Sequence, residues 1–293
     1  MLYSLHMPFY IYAWIASFSS ACIIITTKLT SKYSIKNPWF FTFLWILIIM
    51  VFTVPSSLFH HAGLPNDWSP IIWASLFSAI WNFLYIKTIY SIDVSTLSPI
   101  FNFRTVFAVI LGAIFFKEQL TAYQFLLFLV IVIAGMFASL DEKMNIKLFF
   151  KPAIFIALLA MLALTINNLF IKSALVHNDI WTANLWMSVI TFLFLLPTIP
   201  LFMKEMKKIN LSQILPVGLM GALQTVTNWG ANIAYGVNVG ITSLIMAVPV
   251  SLIITFLLAM FIPTLLEKHT VKVYAIRFGA AIVMIIAALQ LSA

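Results

Sequence analysis

Charge is scarce in this sequence. Of its 293 residues, 8% are charged and only eight are acidic. A soluble domain carries roughly 25% charged residues, so a soluble globular protein and a charge-rich disordered chain are both excluded. Cysteine is scarcer still. The single thiol, Cys22, lies in an apolar stretch, which excludes an internal disulfide, a disulfide scaffold and a cysteine metal site. The nine glycines form no phosphate-cradling loop, so no ATP site is expected. No lysine or arginine precedes the first apolar run, Phe9 to Thr27, and that run is long enough to span, so no cleaved signal is expected.

What is present is apolar: 63% hydrophobic residues, 15% aromatic ones and a mean hydropathy of +1.08. A membrane helix needs about 20 residues to cross roughly 30 Å of hydrocarbon. Cutting the chain at its polar clusters predicts ten such spans, over 9–27, 39–59, 70–91, 93–116, 121–140, 152–172, 180–203, 213–235, 240–262 and 271–291. Long apolar runs without period-2 alternation mark helices rather than barrel strands. Pro70 and Pro152 open two spans, where the missing N–H costs nothing. The expected class is an all-α integral membrane protein with almost nothing outside the bilayer.

The net charge of +8 would suggest nucleic acid in a soluble protein. Here the basic residues sit in short connections, where they face anionic lipid, and no nucleic-acid partner is expected. Odd-numbered connections hold Lys28, Lys32, Lys36, Lys87, Lys143, Lys147, Lys151, Lys204, Lys207, Lys208, Lys268 and Lys272; even-numbered ones hold Lys117 and Lys172. The bias predicts cytoplasmic odd connections and two external termini in a bacterial inner membrane.

An internal repeat emerges in two registers. At an offset of 142, Trp39 matches Trp181 and Pro55 matches Pro197. At an offset of 150, Ser78, Asn82, Tyr85 and Pro99 match Asn228, Asn232, Tyr235 and Pro249. Residues 1–145 and 146–293 are then two five-span repeats, and an odd number of spans makes the second copy inverted.

Each half also carries a proline-led span closed by a glutamate and a threonine. The first runs from Pro99 to Lys117-Glu118-Gln119-Leu120-Thr121, the second from Pro249 to Leu266-Glu267-Lys268-His269-Thr270. This pattern resembles the EamA-type exporters of the drug/metabolite transporter superfamily, and ten spans in two five-helix halves cover the whole chain in the same way. The resemblance implies ten helices around a central cavity, walled by spans three, four, eight and nine with help from one and six. Spans five and ten are expected at the periphery. It also implies a small-metabolite substrate, often an amino acid. The chain departs from the pattern at His269, where the first half has Leu120, and it lacks a glycine before the glutamate.

Arg104 lies 11 positions from Asp93 and 14 from Glu118, near the centre of span four. A charge there costs about 2.5–3.5 kcal/mol on insertion scales, so it should face inward. Two readings fit: its guanidinium forks onto a substrate carboxylate or phosphate, or it braces backbone carbonyls. Offset 150 gives Ile254, so it has no twin in the second half. Arg277, six residues into span ten, is a borderline second interior charge.

Span eight carries a polar stripe of Gln224, Asn228, Asn232 and Tyr235, flanked by Thr225 and Thr227, and span three a weaker one of Ser78, Asn82 and Tyr85. Span six adds Thr165, Asn167 and Asn168, and Ser17 of span one aligns with Asn167. These groups either line a cavity or bond between helices. Adjacent asparagines cannot share a face, so one of Asn167 and Asn168 is expected to bond a neighbouring helix. Trp81 and Trp229, with Tyr10, Tyr12 and Trp14, either stack a ligand or form an interfacial belt. Pro99 and Pro249 are candidate gating positions or static kinks.

Every acid and every histidine falls in a connection or at a helix end, so no carboxylate or imidazole sits at mid-membrane to carry a proton. Facilitated movement, exchange and proton use through an end residue stay open. His60, His61 and Asp67 lack metal-ligand spacing and read as a solvated loop. The expectation is a non-enzymatic, cofactor-free and ATP-free secondary transporter, a monomer or weak dimer. Its substrate would be an amino acid or similar zwitterion or anion. The alternatives are a carrier of amines or other cations through an aromatic cavity, a membrane-embedded lipid-modifying enzyme, and a non-transporting assembly partner.

Overall fold

A computed structural model describes residues 8–116, 121–140, 146–237, 242, 245, 246, 248–262 and 269–292. Among these residues every regular element is helical: α1 (Phe9–Tyr33), α2 (Pro38–Phe59), α3 (Ser69–Ser91), α4 (Val94–Ile100), α5 (Phe103–Phe116), α6 (Ala122–Ala138), α7 (Pro152–His177), α8 (Ile180–Leu195), α9 (Met203–Met206), α10 (Leu211–Val237), α11 (Val250–Phe261) and α12 (Val271–Ser292). Short 3₁₀ segments cover Ile146–Phe150 and Leu196–Leu201. Six of the described helical stretches are long and apolar enough to cross a membrane, with α6 and α11 as shorter apolar helices.

The element ends follow local chemistry. Pro70 stands second in α3 and Pro152 first in α7, as expected of a residue with no N–H to lose. Asn37 caps α2 by accepting from the Trp39 and Phe40 amides, at 3.0 and 3.4 Å. Thr121 and Gln124 form a reciprocal capping box at α6. Asp179 caps α8, accepting from Trp181 N at 2.9 Å and Thr182 N at 3.0 Å. Predicted span seven ran to residue 203, but α8 ends at Leu195, because Pro197 and Pro200 cannot continue an α-helical ladder and the chain tightens into the 3₁₀ segment.

The chain packs as two compact units, each drawn from both halves of the sequence. The first comprises Met1–Lys28, Ile92–Ile154 and Ala222–Ala293, the second Leu29–Ser91 and Phe155–Gly221.

In the second unit α2, α3 and α8 pack on one another, burying Phe40, Phe41, Ile71 and Ala74. Its connections are tied in two groups. Asn37 Nδ2 donates to Glu205 Oε1 (3.1 Å), Gln213 Nε2 to Ser34 O (3.2 Å), and the Tyr90 hydroxyl to Ile35 O. Those bonds join the predicted first, third and seventh connections. The other group joins the second and sixth: Gly63 N donates to Thr182 Oγ1 (3.0 Å), and buried Asn178 accepts from Asn66 N at 2.7 Å.

In the first unit α6 lies along α12, and α4 packs on α11 and α12. Leu252, Ala259, Tyr274 and Ala281 form a buried cluster, joined by Phe256 and Phe278. A second cluster of Ala13, Ala234 and Ile245 brings α1 to α10. Close approach there depends on Gly230, where an added Cβ would meet Tyr12 O at 2.7 Å and the Ala16 methyl at 3.2 Å. Backbone cannot yield as a flexible side chain can. Gly230→Ala is expected to destabilise the protein by about 1–3 kcal/mol, read as a lower unfolding temperature in detergent. Gly218→Ala, with nothing within 4 Å of its Cβ, is the control that should show no such loss.

Candidate functional site

Predicted span four is two helices, and the break has a local cause. Pro99 has no N–H for the carbonyl four residues back, and its ring crowds that carbonyl. Beyond it the bonds shorten in register: Asn102 N donates to Pro99 O at 3.0 Å and Arg104 N to Phe101 O at 3.2 Å, both three residues back. The α-ladder lapses at Phe101–Asn102 and resumes at Phe103. Arg104 therefore stands in the first turn of α5, partly buried. Pro249 likewise sits immediately before α11 as its N-terminal cap residue. Two residues on, Ser251 Oγ donates to Ser98 Oγ at 2.9 Å, so α4 and α11 are joined beside both prolines.

Arg277 changes the picture drawn from the sequence, in which Arg104 was the clear interior charge and Arg277 a borderline one. The side chain of Arg277 is 2% exposed, more deeply buried than that of Arg104. It donates to Ser95 Oγ and, at 3.0 Å, to Leu140 O. A guanidinium tolerates such burial when its N–H groups meet carbonyl, hydroxyl and carboxylate oxygens. Nearby stands the carboxylate of Asp93, which feels the charges of Arg277 and Lys28 and lies 2.8 Å from His269 Nε2. Lys28, counted in the sequence as a marker of sidedness, is buried and donates through Nζ to Ile92 O at 2.8 Å. Burial alone would push the Asp93 carboxyl up; the His269 hydrogen bond and the three neighbouring cationic groups outweigh it and hold the group below its ordinary value. Asp93 is thus ionised at neutral pH and can only accept, so His269 Nε2 carries the hydrogen. The cluster joins the approaches to α4 and α12, the end of α6 and the α1 segment at Lys28, which are the first, third, fifth and ninth connections.

The other candidates divide between the units. In the first, Gln224 Nε2 donates to Asn228 Oδ1 at 2.9 Å along the polar face of α10, and Ser17 is buried in α1. The side chains of Trp229, Asn232 and Tyr235 lie outside the described residues, as do Glu118, Glu267 and the residues beside them in the paired glutamate motif. In the second unit, Asn167 Nδ2 donates to Ala74 O at 2.7 Å, so α7 is bonded to α3, while neighbouring Asn168 is exposed. Asn82 Nδ2 donates to Ser78 O at 2.8 Å within α3. Trp81 and Tyr85 meet ring to ring at 4.9 Å. His60 stacks on Trp181 at 3.7 Å. A cavity of about 410 Å³ runs between α6 and α12, but Val130, Ala134, Phe137, Ile276 and Gly279 offer it no polar side chain, which suits an apolar occupant and not a zwitterion.

Comparison with known proteins agrees with this architecture. Residues 7–140 match the model of the EamA-like transporter family, which lies within the drug/metabolite transporter superfamily. These are membrane transporters, and the chain is a multi-pass membrane protein. A solved crystal structure, described only as that of a protein, superposes with a TM-score of 0.54 at 15% identity, over 94% of this chain and 97% of that one. That likeness establishes a shared fold. No curated protein matches the chain.

Two expectations follow from the buried cluster. Arg277→Met removes the cation and leaves oxygens built around it, and should cost ~3 kcal/mol in detergent unfolding. Because the folded-state Asp93 is held below its ordinary value, its contribution is present above the usual carboxylate range and is lost as pH falls through the lower folded value. The stability gap between wild type and Asp93→Asn should therefore be present at pH values above the usual carboxylate range and should shrink as the pH falls below it, as followed by thermal unfolding.

Proposed function

We propose that the protein is a secondary transporter of a small organic metabolite with an anionic group, preferably an amino acid or similar zwitterion. Ten spans in two inverted five-helix repeats would alternate access to a site holding Arg104, with span eight supplying polar and aromatic walls. The observation that carries this reading is the interrupted span four. Transporters place substrate at discontinuous helices, where a fresh helix start turns its positive end toward an anionic group. Here the restart carries a partly buried arginine in its first turn. Substrate carboxylate would take the guanidinium in forked geometry, while Gln224, Asn228, Asn232 and Tyr235 would meet its other polar groups, and Trp229 and Ser17 would complete the walls. Pro99 and Pro249 stand where a rocking motion would bend the chain.

The grouping of connections supports the orientation read from lysines. In each unit, hydrogen bonds join odd-numbered connections to one another, and that set is the lysine-rich one. We assign it to the cytoplasm of a bacterial cell, with both termini outside.

Purified protein screened by thermal shift against amino acids, amines, nucleosides and sugar phosphates should be stabilised by an amino acid or related anion, following mass action. Arg104→Ala should abolish uptake of that compound into proteoliposomes while retaining the wild-type elution profile. Undiminished uptake would remove Arg104 from the site. Stabilisation by amines alone would favour the carrier of cations.

A further inference from the structure

The charged cluster of the first unit has no part in the proposed binding site, yet it grips the helix that leads to Arg104. Helix α4 is buried throughout from Val94 to Ile100. It is held at three points: Asp93 at its cap position bonds His269, Ser95 bonds Arg277, and Ser98 bonds Ser251. The break carrying Arg104 follows directly. Of these three holds, the first is made by an imidazole, a side chain that can take up or give up a proton and with it a charge. Water can reach it: the His269 and Asp93 side chains are 13% and 33% exposed.

Among the described residues, charged and aromatic groups from two helices face the pair. Arg277 comes from α12 and Lys28 from α1, both acting on Asp93. Tyr274, also of α12, meets the imidazole in a T-shaped contact at 5.9 Å. Neither α6 nor α11 contains a charged residue.

We propose that the His269–Asp93 pair is a proton-operated clamp on α4. With the imidazole protonated, Nε2–H and the carboxylate form an ion pair as well as a hydrogen bond, and α4 is held against α12. When the proton leaves Nδ1 for water, Nε2 keeps its hydrogen but the bond weakens, and α4 loosens together with the break and Arg104. Linkage fixes the sign: the held state binds the proton more tightly than the loose state, so rising pH releases the clamp and falling pH sets it. The clamp lies with the odd-numbered connections, so it answers to pH on their side of the membrane. This deepens the transporter reading by giving it a proton-sensitive control, and it rests on that reading only for what the loosened helix carries.

Hydrogen exchange tests the clamp without any solute. The full chain in lipid nanodiscs is exchanged between about pH 6 and pH 8, with rates corrected for intrinsic amide chemistry. Protection of amides 94–104 should fall by about fivefold over that range, the low end of an allosteric coupling, while amides of α7 hold constant. His269→Gln keeps a donor for Asp93 but cannot take the charge, and its protection should not vary with pH. A flat wild-type profile overturns the clamp whether or not the variant folds, and so does a pH response that survives in His269→Gln. Uptake that is indifferent to Arg104→Ala would overturn the transport-site assignment while leaving the exchange result intact, so the two ideas fail separately.

Discussion

A guanidinium shut away from water needs oxygens within reach of its N–H groups, and in this protein that requirement gathers elements that are far apart in sequence. Arg277 reaches Ser95 at the start of α4 and Leu140 at the end of α6, and its charge acts on Asp93. Lys28 and His269 join because the same carboxylate and the adjoining carbonyl need donors. The ends of the helices in the first unit are thus fixed by the need to satisfy one another's polar groups in surroundings that offer little else. Apolar packing of the kind seen among Leu252, Phe256 and Tyr274 sets how closely the helices lie. The charged cluster sets which ends meet.

The same rule runs through the second unit in neutral form. Asn178, Asn37 and Gln213 each tie a helix end to a distant connection. An asparagine in a membrane helix invites a binding role, but Asn167 shows the other use, spending its amide on the Ala74 carbonyl of a neighbouring helix. Polar side chains in such a chain serve the fold first.

Most of the helices were legible in the sequence, because hydrophobic length is a direct consequence of bilayer thickness. The starts at Pro70 and Pro152 were equally plain. The division of span four was not, since Pro99 alone announces a kink; what ends the ladder is the pair of three-residue hydrogen bonds that follow. Among charges, counting residues from a span's end misranked the two arginines. Depth along a helix says how far a side chain is from water only if no carbonyl, serine or carboxylate lies within reach, and a sequence does not say that Leu140 O and Ser95 do. His269 was noticed as a departure from its partner motif. That connections three and nine share a side followed from topology, but their meeting at 2.8 Å came only with the fold.

The interleaving of the two units bears on how the chain is made. Ser95 and its arginine are separated by 182 residues, a synthesis interval of about 10–40 s at ordinary elongation rates. Throughout that time α4 lies in the membrane with its polar start unmatched, and the unit to which it belongs is unfinished until the last helix arrives. A ribosome stalled or a chain cut before residue 277 therefore leaves an early segment without the arginine its hydroxyl bonds, a state that quality-control proteases can recognise. Completion of the final helix is then the event that commits α4 to its place.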